Sequence, residues 1–272
     1  MEDIEIRNIR NHYRLYGSSE WWWCYDDTLQ LITKLLRRDK YVILDDFLLN
    51  LNANAINIMM KQLHHTNLLN KNGIIGGGHS GKDVSYNNGD IRSDVLNYFD
   101  GDENDINLFQ KNNNMKILLD KMSTLIFELK DLNKHNSNDN NPIQLELKNI
   151  KTRSKAMMTC YPGNETQYKR HVDNPDHIHN GRKLTCIYYA NPDWKKEYGG
   201  YLSLFPQATG MGMGSSDSGS NSNIDMEPKL NRIVMFWSDE RCPHAVCMCV
   251  YMCSYVVMCY ICFMYVYIYI FV

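Results

Sequence analysis

The sequence lacks a charge imbalance and contains no Lys or Arg after Arg241. Its 29 basic and 31 acidic residues leave a formal net charge of -2. Because a strong positive field is the usual signature of nucleic-acid binding, this balance predicts no nucleic-acid partner. The 44% hydrophobic content is ordinary for a globular protein, and 272 residues are enough for one good-sized domain or two small ones.

The nine cysteines lack the paired spacing that zinc sites and disulfide frameworks require. Four are scattered through the body of the chain, and the others lie after residue 246. The first residues, MEDIEIRNIR, are charged and have no apolar core, so we expect no secretory signal peptide. Together these absences predict a reducing compartment, which is the cytoplasm and/or the nucleus.

Helical patterns come first in the chain and β-type patterns come later. Asn52 to Leu69 and Met115 to Leu132 carry apolar residues at helical spacing. Six later runs are short, are rich in β-type residues and are separated by Gly, Pro and Asn clusters. These runs are 143–150, 156–161, 168–172, 184–189, 201–205 and 232–237. The order predicts an α+β protein in which helices brace a β barrel or sandwich.

A candidate metal site follows from His171, in the run 168–172, and Asp173, which comes directly after that run and two positions after His171. Alternate residues of a strand point to the same face, so both side chains can reach one metal ion. His244, which follows Pro243, is well placed to supply a third ligand from another strand. Two histidines and one carboxylate are the ligands of an Fe(II) site that keeps coordination positions open.

The bare pattern is weak evidence, because a His and an Asp two residues apart on a strand are usually polar surface residues. His177 and His179 repeat the same spacing nearby, but they fall in a loop of Pro, Asn and Gly residues. We interpret these two histidines as solvent-exposed residues.

The longer sequence around the motif is more specific. The segments KAMMTCYPGNETQYKRHVDNP, GRKLTCIYYANPDW, GGYLSLFP and EPKLNRIVMFWSDERCPH resemble the prolyl hydroxylases that act on hypoxia-inducible factor. YVILDDFL and DIRSD extend the resemblance upstream, so it runs from about Tyr41 to His244. It implies a double-stranded β-helix (jelly-roll or cupin-like) core braced by N-terminal helices. It also implies an Fe(II)- and 2-oxoglutarate-dependent dioxygenase that forms 4-hydroxyproline in the α subunit of that factor, as an oxygen sensor.

The resemblance implies roles for individual residues. The implied iron ligands are His171, Asp173 and His244. The implied co-substrate-binding residues are Tyr161 and Tyr189, and the implied substrate-binding residues are Arg92, Asp94 and Arg182. O2 is the second co-substrate, ascorbate is the expected reductant, and residues 71–90 correspond to a mobile loop that gates the substrate site.

Several of these residues have structural alternatives. Tyr189 could be an ordinary strand aromatic, and Arg182 could be a surface arginine. Trp21, Trp22 and Trp23 could form a partner-binding patch, or they could form an edge packed against the domain. We favour the packed edge.

The chain departs from the family at the far carboxylate of 2-oxoglutarate. The family holds this carboxylate with an arginine on the last barrel strand, whereas Cys253 and Ser254 occupy that neighbourhood here. A buried carboxylate without a cationic partner is costly, and a bidentate arginine is the usual partner. We therefore expect weakened co-substrate affinity. The alternatives are a catalytically weak or inactive relative that still binds iron and substrate, or a hydroxylase of another protein such as a ribosomal one.

Residues 247–272 form an anomalous tail of 26 uncharged residues, built only from Cys, Met, Val, Tyr, Ser, Ile and Phe. One interpretation is the translation of a simple nucleotide repeat, which is foreign to the domain. The others are a divergent final strand and a membrane anchor, since about 20 apolar residues span a bilayer. We favour the first and expect no membrane association. The predicted organisation is an N-terminal extension over 1–38, a catalytic domain over 39–246 without its final strand, and this tail.

Overall fold

The computed structural model describes residues 20–69, 71–72, 91–100, 103, 109, 113–135, 142–176, 180–207, 223–250 and 254–262. For 71–72, 133–135, 142–144 and 259–262, only the backbone is described. The predicted gating loop lies almost entirely outside the described residues, and so do His177 and His179.

Four α-helices are formed within the described part of the chain: α1 (Asp26–Arg38), α2 (Asn50–His65), α3 (Asn114–His135) and α4 (Pro142–Lys148). The strands of the same part are β1 (Tyr41–Asp45), β2 (Lys71–Asn72), β3 (Val95–Phe99), β4 (Thr152–Arg153), β5 (Ala156–Tyr161), β6 (Thr166–His171), β7 (Arg182–Tyr189), β8 (Leu202–Leu204), β9 (Ile224–Met226), β10 (Arg232–Trp237), β11 (His244–Cys249) and β12 (Ser254–Cys262).

The strands form two antiparallel sheets. The larger sheet has the order β1-β10-β7-β12-β5-β3-β2, with β4 also paired to β12. The smaller sheet has the order β6-β11-β8-β9. Non-sequential neighbours on both sheets are typical of a jelly roll, in which two sheets share one core. The predicted α+β class and double-stranded β-helix are therefore confirmed.

The N-terminal helices cover the larger sheet. Leu29, Ile32 and Leu36 of α1 recur at helical spacing, and all three are buried. Trp22 and Trp23 are also fully buried, and their indole N–H groups donate to the carbonyls of Asp46 and Phe47 at 3.3 and 3.1 Å. This burial confirms the packed edge for these two tryptophans. Residues 20–38, which the sequence assigns to the N-terminal extension, therefore contribute buried side chains to the core of the domain.

One predicted β-type run is wrong. Residues 143–150 alternate apolar and polar side chains, yet Pro142–Lys148 is helix α4. Proline is well suited to the first position of a helix, and Gln, Leu, Glu and Lys are strong helix formers. In a helix, Leu147 becomes fully buried, with Ile150 buried just beyond the last turn.

The tail contributes a central strand. β12 lies between β5 and β7 and pairs with both, with Val257 opposite Met158 on one side and Tyr188 on the other. β11 also continues to Cys249. The structure therefore differs from the predicted domain that ends at residue 246 and lacks its final strand. β-branched and aromatic residues suit a central strand, and Val257 is fully buried. The nucleotide-repeat origin of the tail stays a prediction.

No helix in the described ranges combines the length and the hydrophobicity needed to cross a membrane.

Substituting Val257 tests whether β12 belongs to the stable core. Val257→Ala removes two buried carbon atoms at about 0.8 kcal/mol each, plus a small cavity term, so we expect a loss of about 2 kcal/mol in the free energy of unfolding. Urea unfolding measures the difference. Val250→Ala is the matched control, because Val250 is exposed. Equal stabilities for the two variants would contradict the placement of β12 in the core.

Candidate metal centre

Strand pairing brings the three predicted ligands together. His171 ends β6, His244 begins β11, and these two residues are direct partners in the antiparallel ladder. Asp173 follows β6 by two residues and turns toward both histidines. The three potential ligand atoms all lie within 4.8 Å of one another. The ladder therefore explains why ligands that are far apart in sequence share one site.

The spacing of the ligand atoms leaves room for an ion. The Nε2 atom of His171 is 3.6 Å from Oδ1 of Asp173, and the Nε2 atom of His244 is 3.5 Å from Oδ2. Both distances are too long for ordinary hydrogen bonds. The Nε2 atom of His244 is buried and has no hydrogen-bond partner within the described residues. An unsatisfied buried polar atom costs about 1–3 kcal/mol, and a metal ion at the centre would satisfy it.

Backbone carbonyls hold both imidazoles in the orientation that metal binding needs. The Nδ1 atom of His171 lies 2.8 Å from the carbonyl oxygen of Lys169, and Nδ1 of His244 lies 3.4 Å from that of Cys242. When Nδ1–H donates to a carbonyl, Nε2 keeps its lone pair for the metal. This arrangement fits an ion with neutral imidazole ligands.

Thr185 positions the carboxylate of Asp173. Its hydroxyl donates to Oδ2 of Asp173 at 2.7 Å, and its oxygen also lies 2.9 Å from the Ser238 hydroxyl. The backbone carbonyl of Asp173 accepts bonds from Asn180 at 2.8 Å and from Arg182 at 3.3 Å. Thr185 was not among the residues predicted from the sequence. Its spacing of four residues from Tyr189 was an available signal, because both then lie on one face of β7.

The electrostatics keep the ligands in the forms that bind a metal. Burial alone raises the pKa of Asp173, but His244, followed by His171 and Arg182, holds this pKa below its usual range. Burial, with a further contribution from His171, lowers the pKa of His244 to about 4. Near neutral pH the site therefore offers an ionised carboxylate and a neutral imidazole at His244. Both are the states required for coordination.

Aromatic rings shield the centre. The ring of Tyr168 stacks on the imidazole of His171 with centroids 3.6 Å apart, and Phe236 lies 4.6 Å from His244. Burial raises the pKa of Tyr168 to about 12, so its phenol stays protonated at neutral pH. These rings restrict both the orientation of the histidines and the access of water.

Arg92 and Asp94 form a buried ion pair beside Tyr168. The Arg92 guanidinium donates to both oxygens of Asp94 at 2.6 and 2.8 Å, and the two side chains are 3% and 0% exposed. The Thr159 hydroxyl adds a bond to Asp94 at 2.5 Å. The guanidinium carbon is 4.6 Å from the Tyr168 ring centroid. The pair is thus turned toward the interior, and its contribution to substrate binding stays a prediction.

A small cavity lies beside the centre, between the two sheets. Tyr161 and Tyr189 line it, as predicted for the co-substrate pocket, together with Val246 of β11 and Ser254 and Val256 of β12. Its volume of about 10 Å³ is close to the space that one water molecule needs. The side chains around it must therefore adjust when a larger ligand enters.

The family comparison agrees with the fold and the site. Residues 156–262 match the family model described as the 2OG-Fe(II) oxygenase superfamily. This range begins with β5, ends with β12 and includes His171, Asp173 and His244. Together, the jelly roll, the His-Asp-His cluster and this match place the chain in the 2OG-Fe(II) oxygenase superfamily.

Individual relatives narrow the class. The chain is 33% identical over 219 residues to Egl nine homolog 1 of Rattus norvegicus. The aligned residues cover 80% of this chain and 54% of that protein. It is 32% identical over 219 residues to prolyl hydroxylase EGLN3 of Mus musculus. That alignment covers 80% of this chain and 77% of the mouse protein. The chain therefore belongs to the Egl nine family of prolyl hydroxylases. It spans about half the length of the Egl nine homolog 1 relatives.

A solved structure supports the same assignment. A Trichoplax adhaerens prolyl hydroxylase, in complex with a peptide from the oxygen degradation domain of hypoxia inducible factor, matches with a TM-score of 0.63 and 26% identity. The match covers 87% of this chain and 89% of that one.

Family membership implies Fe(II), 2-oxoglutarate and O2, and the residues of this chain fit these groups unequally. The His-Asp-His cluster fits Fe(II), because it offers one carboxylate and two imidazole nitrogens, of which Nε2 of His244 is buried without a hydrogen-bond partner in the described residues. The cavity fits 2-oxoglutarate less well. Its lining contains no Lys, Arg or His side chain among the described residues.

Removing the Thr185 hydroxyl tests its positioning role. Thr185→Val keeps the shape of the side chain but removes the bond to Asp173, so we expect Fe(II) affinity to fall about 10–100-fold, as for other partners of metal ligands. Anaerobic titration with Fe(II) measures the change. Thr124→Val is the control, because the Thr124 hydroxyl bonds a helix carbonyl on an exposed surface. Wild-type affinity in Thr185→Val would show that Thr185 does not position the ligand.

Proposed function

We propose that this chain uses Fe(II) and O2, with a 2-oxo acid as co-substrate, to hydroxylate carbon 4 of a proline in a protein substrate. The observation that carries the proposal is the largely buried cluster of His171, Asp173 and His244 in a jelly roll, two of whose relatives are named as prolyl hydroxylases. We further propose that the substrate is a hypoxia-inducible factor α subunit. The extent of substrate hydroxylation would then depend on the O2 concentration, so the protein would act as an oxygen sensor.

The support for a peptide substrate comes from the Trichoplax adhaerens enzyme, whose solved complex holds a hypoxia inducible factor peptide. In this chain, Arg182 is only partly buried, and its guanidinium lies 3.3 Å from the Asp173 carbonyl. A substrate that approaches the metal would therefore meet this side chain. We propose Arg182 as a direct substrate contact, and we propose a less direct role for Arg92 and Asp94 through the position of Tyr168.

The ion and the side chains of this protein have different roles in the proposed mechanism. Fe(II), when bound, supplies the oxygen-dependent oxidation. His171 and His244 present lone pairs on Nε2, and Asp173 offsets one of the two positive charges. The Thr185 hydroxyl fixes the carboxylate, and Tyr168 and Phe236 limit the access of water.

The direct experiment is a peptide hydroxylation assay. The purified protein is incubated with Fe(II), a 2-oxo acid, ascorbate and a peptide that contains an LxxLAP-type motif, and mass spectrometry detects the gain of one oxygen atom. A peptide with the target proline replaced by alanine is the control. We propose ascorbate as the reductant that keeps the iron in the Fe(II) state, so omitting it should reduce the yield.

The assay also separates the alternatives. Hydroxylation of a ribosomal-protein peptide in preference to the LxxLAP-type peptide would indicate a different protein substrate. Iron binding without any peptide hydroxylation or CO2 release would indicate a binding protein that has kept the site. The cytoplasm and/or the nucleus stays a prediction from the sequence.

A further inference from the structure

The metal centre and the small cavity are connected by one face of strand β7. Thr185 of β7 contacts Asp173, and Ile187 and Tyr189 follow on the same face of that strand. Tyr189 is four residues beyond Thr185, which is roughly 13 Å along a strand. The inner face of β7 therefore leads from the residue that holds Asp173 to the cavity wall, and the far end of a metal-bound acid is directed along this face.

Strand β12 closes the end of the cavity that is remote from the metal. Ser254 pairs with Tyr161 and Val256 pairs with Tyr189, so these neighbours face the same space. Ser254 is buried, and its hydroxyl oxygen accepts a hydrogen bond from the Asn191 amide at 3.3 Å. The remote end thus presents hydroxyl groups and a branched apolar side chain.

The two arginines whose charges act on Tyr161 and Tyr189 are already engaged by carboxylates. Arg92 holds Asp94 in the buried pair, and Arg232 donates to both oxygens of Asp45 at 2.6 and 2.9 Å. Neither arginine lines the cavity. The sequence contains no Lys or Arg after Arg241, so residues 251–253 and 263–272 cannot supply a further one.

The field at Tyr161 also disfavours a second anion. Burial, followed by the charge of Asp94, raises the pKa of Tyr161, and the opposing effect of Arg92 is smaller. Burial is the larger cause, and it disfavours any anion placed beside this hydroxyl in the same way. A ligand carboxylate placed here would lose its hydration and would meet no compensating cation within the described cavity wall, which is costly.

From these contacts we propose that the cavity selects 2-oxo acids whose far end is short and uncharged, such as 2-oxobutyrate, in preference to 2-oxoglutarate. This selectivity rests on the proposed function, because the oxo-acid head needs the metal centre as its anchor. In the overall reaction, the 2-oxo acid loses CO2 and gains one oxygen atom of O2, which yields the carboxylic acid one carbon shorter. The second oxygen atom enters the prolyl C–H bond, so the two two-electron oxidations balance the four-electron reduction of O2.

The test compares the binding of 2-oxobutyrate and 2-oxoglutarate to the Fe(II)-loaded protein without O2, so that no turnover is needed. The readouts are the charge-transfer absorption of the chelated oxo acid and the shift in melting temperature. We expect 2-oxobutyrate to bind the wild type at least about tenfold more tightly than 2-oxoglutarate does. A tenfold difference in affinity corresponds to about 1.4 kcal/mol of binding free energy. Tighter binding of 2-oxoglutarate, or no binding of either acid, would overturn the proposal.

A charge-introducing variant provides the complementary test. Ser254→Arg places a cation at the remote end and should reverse the preference toward 2-oxoglutarate. Met248→Arg is the matched control, because Met248 is exposed on β11, and it should leave the preference unchanged. If Ser254→Arg binds 2-oxoglutarate no better than Met248→Arg does, the proposal is wrong. Circular dichroism checks that both variants fold, and if Ser254→Arg does not fold, the wild-type comparison decides alone.

The outcomes also separate this proposal from the proposed function. Preference for 2-oxobutyrate without peptide hydroxylation supports the cavity proposal and counts against prolyl hydroxylation. Hydroxylation that proceeds better with 2-oxoglutarate supports the function and overturns the cavity proposal. A protein that binds no Fe(II) overturns both.

Discussion

Asp173→Ala is expected to abolish detectable Fe(II) binding and peptide hydroxylation. The substitution removes the only anionic ligand of the cluster within the described residues, and it leaves the Nε2 atoms of His171 and His244 without their shared carboxylate. Loss of a partner of a metal ligand lowers affinity about 10–100-fold, so we expect loss of this ligand to lower it by more than about 100-fold. Anaerobic Fe(II) titration and the peptide assay measure the two effects.

Asp120→Ala is the matched control for this prediction. Asp120 is an exposed carboxylate on α3 that pairs with Lys116 one turn away. Such surface pairs contribute about 0–1 kcal/mol, so Asp120→Ala should fold, bind iron and react as the wild type does. If Asp173→Ala bound Fe(II) as tightly as Asp120→Ala, the metal site would have to lie elsewhere in the chain.

Asp94→Ala is expected to destabilise the protein by about 3–5 kcal/mol, because it leaves the Arg92 guanidinium buried without its carboxylate. The Thr159 hydroxyl loses one of its acceptors at the same time. Urea unfolding in the absence of metal measures this loss independently of the iron site. The expected effect is a lower midpoint of unfolding.

A double variant shows whether the cost arises from the uncompensated charge. Arg92→Met combined with Asp94→Leu removes both charges and keeps apolar volume, so it should be less destabilised than Asp94→Ala alone. A double variant that is at least as unstable as Asp94→Ala would assign the effect to packing instead. The comparison also tests whether the pair has a structural role apart from substrate binding.

If Val257→Ala and Ser254→Arg behave as expected, the anomalous tail is both a structural and a functional part of the domain. Val257 contributes to the core from one face of β12, and Ser254 and Val256 contribute to the cavity from the other. Alternation along one strand explains how the same short segment can serve both purposes.

Local patterns were sufficient to predict a large part of this protein. The order of helical and β-type runs indicated an α+β protein, and the His171 and Asp173 spacing indicated two ligands on one face. These predictions depend on side-chain periodicity, which is a property of a few adjacent residues. They failed at residues 143–150, where a period-two pattern forms helix α4 after Pro142.

Other features depended on pairings between segments that are distant in sequence. The β6–β11 ladder sets His244 beside His171, and the fold brings Thr185 of β7 to Asp173. β12 became a central strand through partners about 70 to 100 residues earlier, so its unusual composition alone did not single out the strand among the three interpretations of the tail. Composition and periodicity act within a segment, whereas burial, charge compensation and ligand geometry depend on which segments meet. For that reason the sequence alone predicted the identity of the metal ligands. Tertiary packing determined the hydrogen-bond partners of these ligands, the buried Arg92–Asp94 pair and the uncharged cavity wall.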